Sequence, residues 1–127
     1  MLNGLLVFVG AGLGGLARYA LSAAVVGSVA SRAAWGTLAA NILGCLLAGI
    51  VGAWLAGSFP MRDALRSAIM VGLLGGFTTF SAFAREATTL SDSGRGWLAL
   101  AYIVSTNITC LAAAWGGAIL YRRLIGG

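Results

Sequence analysis

The chain reads as an all-α membrane protein whose four transmembrane helices per subunit account for nearly every residue. Composition is the first observation behind that reading. Of 127 residues, 60% are hydrophobic and 9% charged, with a mean hydropathy of +0.97, values that would force a soluble domain to expose large apolar patches. The second is patterning: apolar residues fall in four runs, about 2–29, 33–59, 64–90 and 96–121, each long enough for the ~20 residues of a tilted span. The third is the brevity of the polar links, Ser31-Arg32, Ser58 to Asp63 and Ser91 to Arg95. Short links make sequential helices antiparallel neighbours in an up-down bundle with both termini on one side. Residues 1–127 are therefore expected to form one transmembrane domain.

The first run carries Gly10 and Gly14, four residues apart, with Gly12 and Gly15 offset from them, a small-residue pattern that lets membrane helices approach closely. It lacks a positively charged start and holds Arg18 in its interior, so it is a spanning helix rather than a signal peptide. A guanidinium inside a span must snorkel or find a partner. Tyr19 beside it fits an interfacial belt, and Glu86 is the only acid attached to a span. In the second run Thr37 and Asn41 stand at i and i+4 and share a helix face. A buried amide without partners is expensive in hydrocarbon, so Asn41 must face protein or water.

The third run, which follows the only proline (Pro60), contains Gly75-Gly76-Phe77-Thr78-Thr79-Phe80-Ser81-Ala82-Phe83. Adjacent glycines followed by two β-branched threonines weaken a helix, so the third helix is expected to break mid-membrane. Irregular backbone at that depth survives where it is buried in protein or lines a polar cavity, as at ion-coordinating positions. The competing reading is close packing through the glycines, with threonines bonded back to their own helix. In the fourth run Tyr102, Thr106 and Cys110 form an i, i+4, i+8 line, Ser105 and Thr109 an adjoining stripe, and Gly116-Gly117 a second packing point. With Phe80 and Phe83 three apart, the set resembles a polar track beside aromatic rings.

The residue inventory excludes whole classes of function. Cys45 and Cys110 lie inside spans, where a thiol behaves as a small hydrophobe, so no disulfide framework is expected. Without histidine or lysine, and with only Asp63, Glu86 and Asp92 as acids, the chain has no side-chain metal cluster and no catalytic triad; an enzyme is not expected. The formal charge of +5 comes from arginines near span ends, which suits a bilayer surface and gives nucleic acid no patch. Arg62, Arg66, Arg122 and Arg123 fall on one side, Arg32, Arg95 and Arg85 on the other. So weak a bias allows insertion in both orientations, and opposite orientations can pair. A glycine-rich bundle this small leaves little room for a pore within one subunit, so a homo-oligomer is expected.

Gly10 to Tyr19 (GAGLGGLARY), Gly36 to Gly44 (GTLAANILG) and Gly72 to Phe83 (GLLGGFTTFSAF), in that order, resemble the Fluc/CrcB fluoride channels of bacteria and archaea. The likeness covers essentially the whole chain, and its third segment is the specific one. It implies a dual-topology homodimer of antiparallel subunits in the bacterial inner membrane, with two fluoride pores and a structural Na+ on the dimer axis. Asn41 would be a pore donor, Phe80 and Phe83 the aromatic lining, and Thr79 and Ser81 parts of the polar path. Tyr102 and Thr106 would continue it, while main-chain carbonyls of Gly75 and Thr78 would hold the sodium. Ala82 and Cys110 depart from the family, which often has threonine and serine at these two positions.

Elementary chemistry is compatible with that implication. Fluoride is small, hard and strongly hydrated, and a path for it must replace water with amide, hydroxyl and ring-edge donors. A fixed charge in the narrowest part would hold the ion too tightly, and none of these lining candidates is charged. The alternative from another class is a small multidrug-type proton-coupled transporter, which would need a titratable carboxylate within the bundle; only Glu86 could serve.

Overall fold

The computed structural model describes residues 2–26, 33–56 and 63–124. The link at Ser31-Arg32, most of the link from Ser58 to Asp63, and the expected span ends at 27–29 and 57–59 lie outside the described residues. Within them all regular structure is helical: α1 (Leu2–Val26), α2 (Ala33–Ala56), a composite third span, and α6 (Gly96–Leu124). The third span comprises α3 (Asp63–Ser67), a π-helical segment (Ala68–Leu74), α4 (Gly75–Phe77) and α5 (Phe80–Asp92). Among the described residues four stretches are long and apolar enough to cross a membrane, namely Asn3–Val25, Ala34–Ala56, Asp63–Asp92 and Gly96–Leu124.

Two boundaries differ from expectation for local reasons. The last link is narrower than Ser91 to Arg95, because α5 continues through Asp92. It ends where Gly94 takes a φ of 75°, with Arg95 N–H donating to Leu90 O (3.1 Å) and Gly94 N–H to Ser91 O (3.0 Å), a Schellman closure that favours glycine. The last helix runs past Tyr121 to Leu124. Arg122 and Arg123 then lie in its final turn, where cations complement the helix dipole.

Helix pairing also departs from the simple up-down expectation. The most extensive packing joins α1 to the third span and α2 to α6, with less between α1 and α2. Small residues explain the choice. A Cβ added at Gly10 would stand 2.5 Å from Ala68 O, and one at Gly76 2.5 Å from Ala11 O. Gly14 lies equally close against Leu73, so contacts rise in step along both chains and the two run parallel. Gly49 and Gly117 interlock α2 and α6 in the same way, against the carbonyls of Ala114 and Leu46. Gly12, Gly15 and Gly116 meet nothing within 4 Å, so of the expected packing glycines only some pack within the subunit.

The interior is unusually polar. Thr37, Asn41, Thr79, Glu86 and Thr106 are buried alongside Ala40, Leu74, Phe83, Ala87 and Ala99. Large apolar side chains such as Phe8, Trp35, Ile108 and Trp115 face outward, as a bilayer solvent demands.

Candidate functional site at the helix break

The third span does break, but not at the glycines. Gly75 keeps helical geometry (φ −64°, ψ −36°), and the chain becomes extended at Thr78 (φ −83°, ψ 156°) and Thr79 (φ −150°, ψ 112°). Close approach, not loss of helix, explains Gly76, whereas extended geometry suits β-branched threonine. Thr78 ends α4 by donating both its N–H (3.0 Å) and its Oγ1–H (3.1 Å) to Leu74 O. Thr79 begins α5, its Oγ1 accepting from Ala82 N–H at 3.2 Å, as an N-cap threonine does.

Asn41 on α2 clasps the exposed backbone. Its Oδ1 accepts from Thr79 N–H at 2.8 Å, and its Nδ2 donates to Thr79 O at 3.1 Å. The amide side chain thus satisfies Thr79 N–H, which the rupture strips of its helical acceptor, and adds a second bond to Thr79 O, the N-cap carbonyl of α5. A primary amide has two N–H donors, and the second makes no hydrogen bond among the described residues. Gly44, one turn closer to the middle of α2, lacks the side chain that would collide with Thr78.

Two cavities flank the clasp, and Thr79 is the one residue that lines both. The larger, about 440 Å³, is bordered by Arg18, Tyr19, Thr37, Ala82, Arg85 and Glu86. The smaller, about 220 Å³, is bordered by Asn41, Phe80, Phe83, Thr106, Cys45 and Cys110, among others. Charged groups therefore line the first, while the second is uncharged. In the second, Thr106 is only 5% exposed and its Oγ1 has no hydrogen-bond partner among the described residues. Its neighbours on α6 behave otherwise: Ser105, Asn107 and Thr109 all donate to carbonyls of their own helix. A buried hydroxyl left unpaired costs about 1–3 kcal/mol.

Glu86 is placed differently from expectation. It is buried inside the bundle, with Oε1 accepting from Thr37 Oγ1 and Oε2 from Tyr102 OH, both at 2.8 Å. Arg85 Nη2 stands 3.9 Å from it. Arg18 shares the larger cavity with Glu86, but no ion pair joins them among the described residues, and Arg18 Nε is buried without a partner. Two hydroxyls on α2 and α6 thus take the place of the expected arginine. Tyr102, read as part of the path, is committed to Glu86 and packs on Phe83 with centroids 5.4 Å apart.

The remaining expected residues divide clearly. Asn41, Thr79, Phe80, Phe83 and Thr106 converge on the smaller cavity. Ser81 is exposed, with its Oγ 3.3 Å from Thr79 Oγ1. Phe80 and Phe83 tilt against each other at 5.3 Å, yet Phe83 is 6% exposed and Phe80 77%. The difference predicts unequal mutants. Phe83→Ile should lower thermal stability by up to about 1.5 kcal/mol, the usual ceiling for such swaps, while Phe80→Ile should leave it unchanged in the isolated subunit. Thermal melts in detergent would check both. Sequence reading missed the Thr37–Glu86–Tyr102 cluster, although the i, i+4 relation of Thr37 to Asn41 already put it on the right face.

Four crossing helices, a backbone rupture clasped by an amide, and an uncharged donor-lined cavity define a multi-pass membrane protein of the ion-conducting class. Comparison with known proteins agrees: residues 5–118 match the family described as CrcB-like protein, Camphor Resistance (CrcB). Similar curated proteins, each named fluoride-specific ion channel FluC, include that of Solibacter usitatus, 38% identical over 94% of this chain and 98% of its own. Those of Hahella chejuensis (40%; 94% of each chain) and Salinibacter ruber (38%; 100% of this chain, 95% of its own) are comparable. The chain belongs to the Fluc/CrcB family.

Proposed function

We propose that this chain is a passive, fluoride-selective channel that lowers fluoride toxicity by letting the anion leave the cytoplasm across a bacterial inner membrane. The observation that carries the reading is Thr79, shared by a cavity bearing arginines and an uncharged cavity lined by Asn41, Thr106, Phe80 and Phe83. The arginines draw an anion towards the break, and neutral donors pass it on without trapping it. The N-terminus of α5, starting at Phe80 beside Thr79, adds positive dipole potential at the same point. Proton coupling gains little from Glu86, since both its oxygens are engaged by hydroxyls.

In this reading the chain works as an antiparallel homodimer. Phe80, Ser81 and Gly75 are exposed on the subunit despite belonging to the motif, which is the pattern of residues completed by a partner. A structural Na+ fits the same region. Thr79 N–H is given to Asn41, so Gly75 O, in the last helical turn before the rupture, is left without its i+4 donor, and carbonyls at a helix C-terminus suit a hard cation. Gly75 and Thr78 would hold it through main-chain oxygens.

Reconstituted protein is expected to pass fluoride far faster than chloride with no proton gradient, read with ion-selective electrodes on liposomes. Equal anion fluxes, or strict dependence on a proton gradient, would refute the proposal.

A further inference from the structure

Parallel packing brings α2 and α6 together in a fixed register. Thr37 and Tyr102 meet on Glu86; one turn on, Asn41 and Thr106 border the smaller cavity, and a further turn on Cys45 and Cys110 border it too. Beyond them Gly49 rests on Ala114 and locks the two backbones. The chain's only two cysteines thus border one cavity, and both are free thiols.

We propose that Cys45 and Cys110 form a two-thiol site for a soft divalent cation of the mercuric kind, and that filling it closes the adjoining path. Thiolates select soft metals. A structural zinc site takes four ligands, but no group of three or more metal-ligating side chains occurs among the described residues, so the pair suits an ion content with two sulfurs in a line. On binding, both S–H bonds break, two metal–sulfur bonds form, and two protons leave to water. A divalent ion then gives a neutral complex, whereas a monovalent one would leave a negative charge within the bundle, an expensive outcome at membrane depth. The same cavity is walled by Asn41, Phe80, Phe83 and Thr106, so an ion held between the sulfurs occupies the way past them. The site stands on the geometry of the cysteines; the closure rests on the pathway proposed above.

Mercuric chloride added to the full chain in liposomes tests both parts. The expected result is one mercury bound per chain, both cysteines shielded from maleimide, and loss of fluoride flux that excess dithiothreitol restores. Cys45→Ala and Cys110→Ser should each weaken binding by about a hundredfold or more, the advantage of a second tethered ligand. Two mercury ions per chain, or binding indifferent to either substitution, would overturn the site. Binding across both sulfurs with undiminished flux would overturn the closure. If no fluoride flux exists before mercury is added, the channel reading fails, while mercury stoichiometry and maleimide protection still decide the site.

Discussion

Asn41→Asp is expected to reduce fluoride flux by about a thousandfold while leaving a folded protein. Asn41 both accepts from Thr79 N–H and donates to Thr79 O, but an ionised carboxylate only accepts. The substitution keeps the first bond and turns the second into an oxygen facing an oxygen. It also puts negative charge at a residue that is 8% exposed and borders the uncharged cavity. Two unit charges 4 Å apart repel by about 4 kcal/mol at an effective dielectric of about 20, and as a barrier that is about three orders of magnitude in rate. Asn41→Leu separates clasp from charge. It removes both hydrogen bonds without adding charge and should lower stability by about 1–3 kcal/mol, because Thr79 N–H is left unsatisfied. Liposome flux and melting of the two variants side by side make the test; wild-type flux in Asn41→Asp would return the residue to a packing role.

Hydropathy made the spans legible because a bilayer imposes one length and one chemistry on every crossing helix. What the chain does between the spans was harder to read. The glycines and threonines together pointed to a rupture within Gly75 to Phe83, but not to its place: Gly75 and Gly76 are helical and the chain opens at Thr78-Thr79. Propensity is a weak prior, and here the π-helical segment and the contact of Gly76 with Ala11 decide. That Asn41 needed a partner was legible from its chemistry; that the partner would be the backbone of Thr79, 38 residues away, was not, because nothing local encodes it. Glu86 shows the same limit. Its charge suggested Arg18, but helix pairing, set by small residues, placed Thr37 and Tyr102 against it instead. The cysteines were read one at a time, and only the register of α2 on α6 makes them a pair.

Glycine substitutions should separate the fold from the assembly, and Gly14→Val should have the larger effect on the fold. A Cβ at Gly14 would collide with Leu73 O and stand 2.8 Å from Phe77 N. Both are backbone atoms of the third span, so no side chain can swing aside, and α1 must move away from the segment that leads into the break. Overpacking of this kind costs about 1–3 kcal/mol and sometimes more; here it also pulls apart the surface that orients Thr78 and Thr79. Gly14→Val is therefore expected to yield little monodisperse protein, with a lowered Tm and lost flux. Gly75 presents the opposite case. The only atom within 4 Å of a Cβ there is Met70 O, at 3.8 Å, so Gly75→Val fits the isolated subunit and should keep its helicity. If the exposed face around Gly75 and Phe80 is completed by a second copy, the substitution should shift the protein from dimer to monomer in size-exclusion chromatography and abolish flux. Wild-type Tm in Gly14→Val would mean that α1 does not lie on the third span in this register. An intact, conducting dimer of Gly75→Val would move the interface and the sodium site elsewhere.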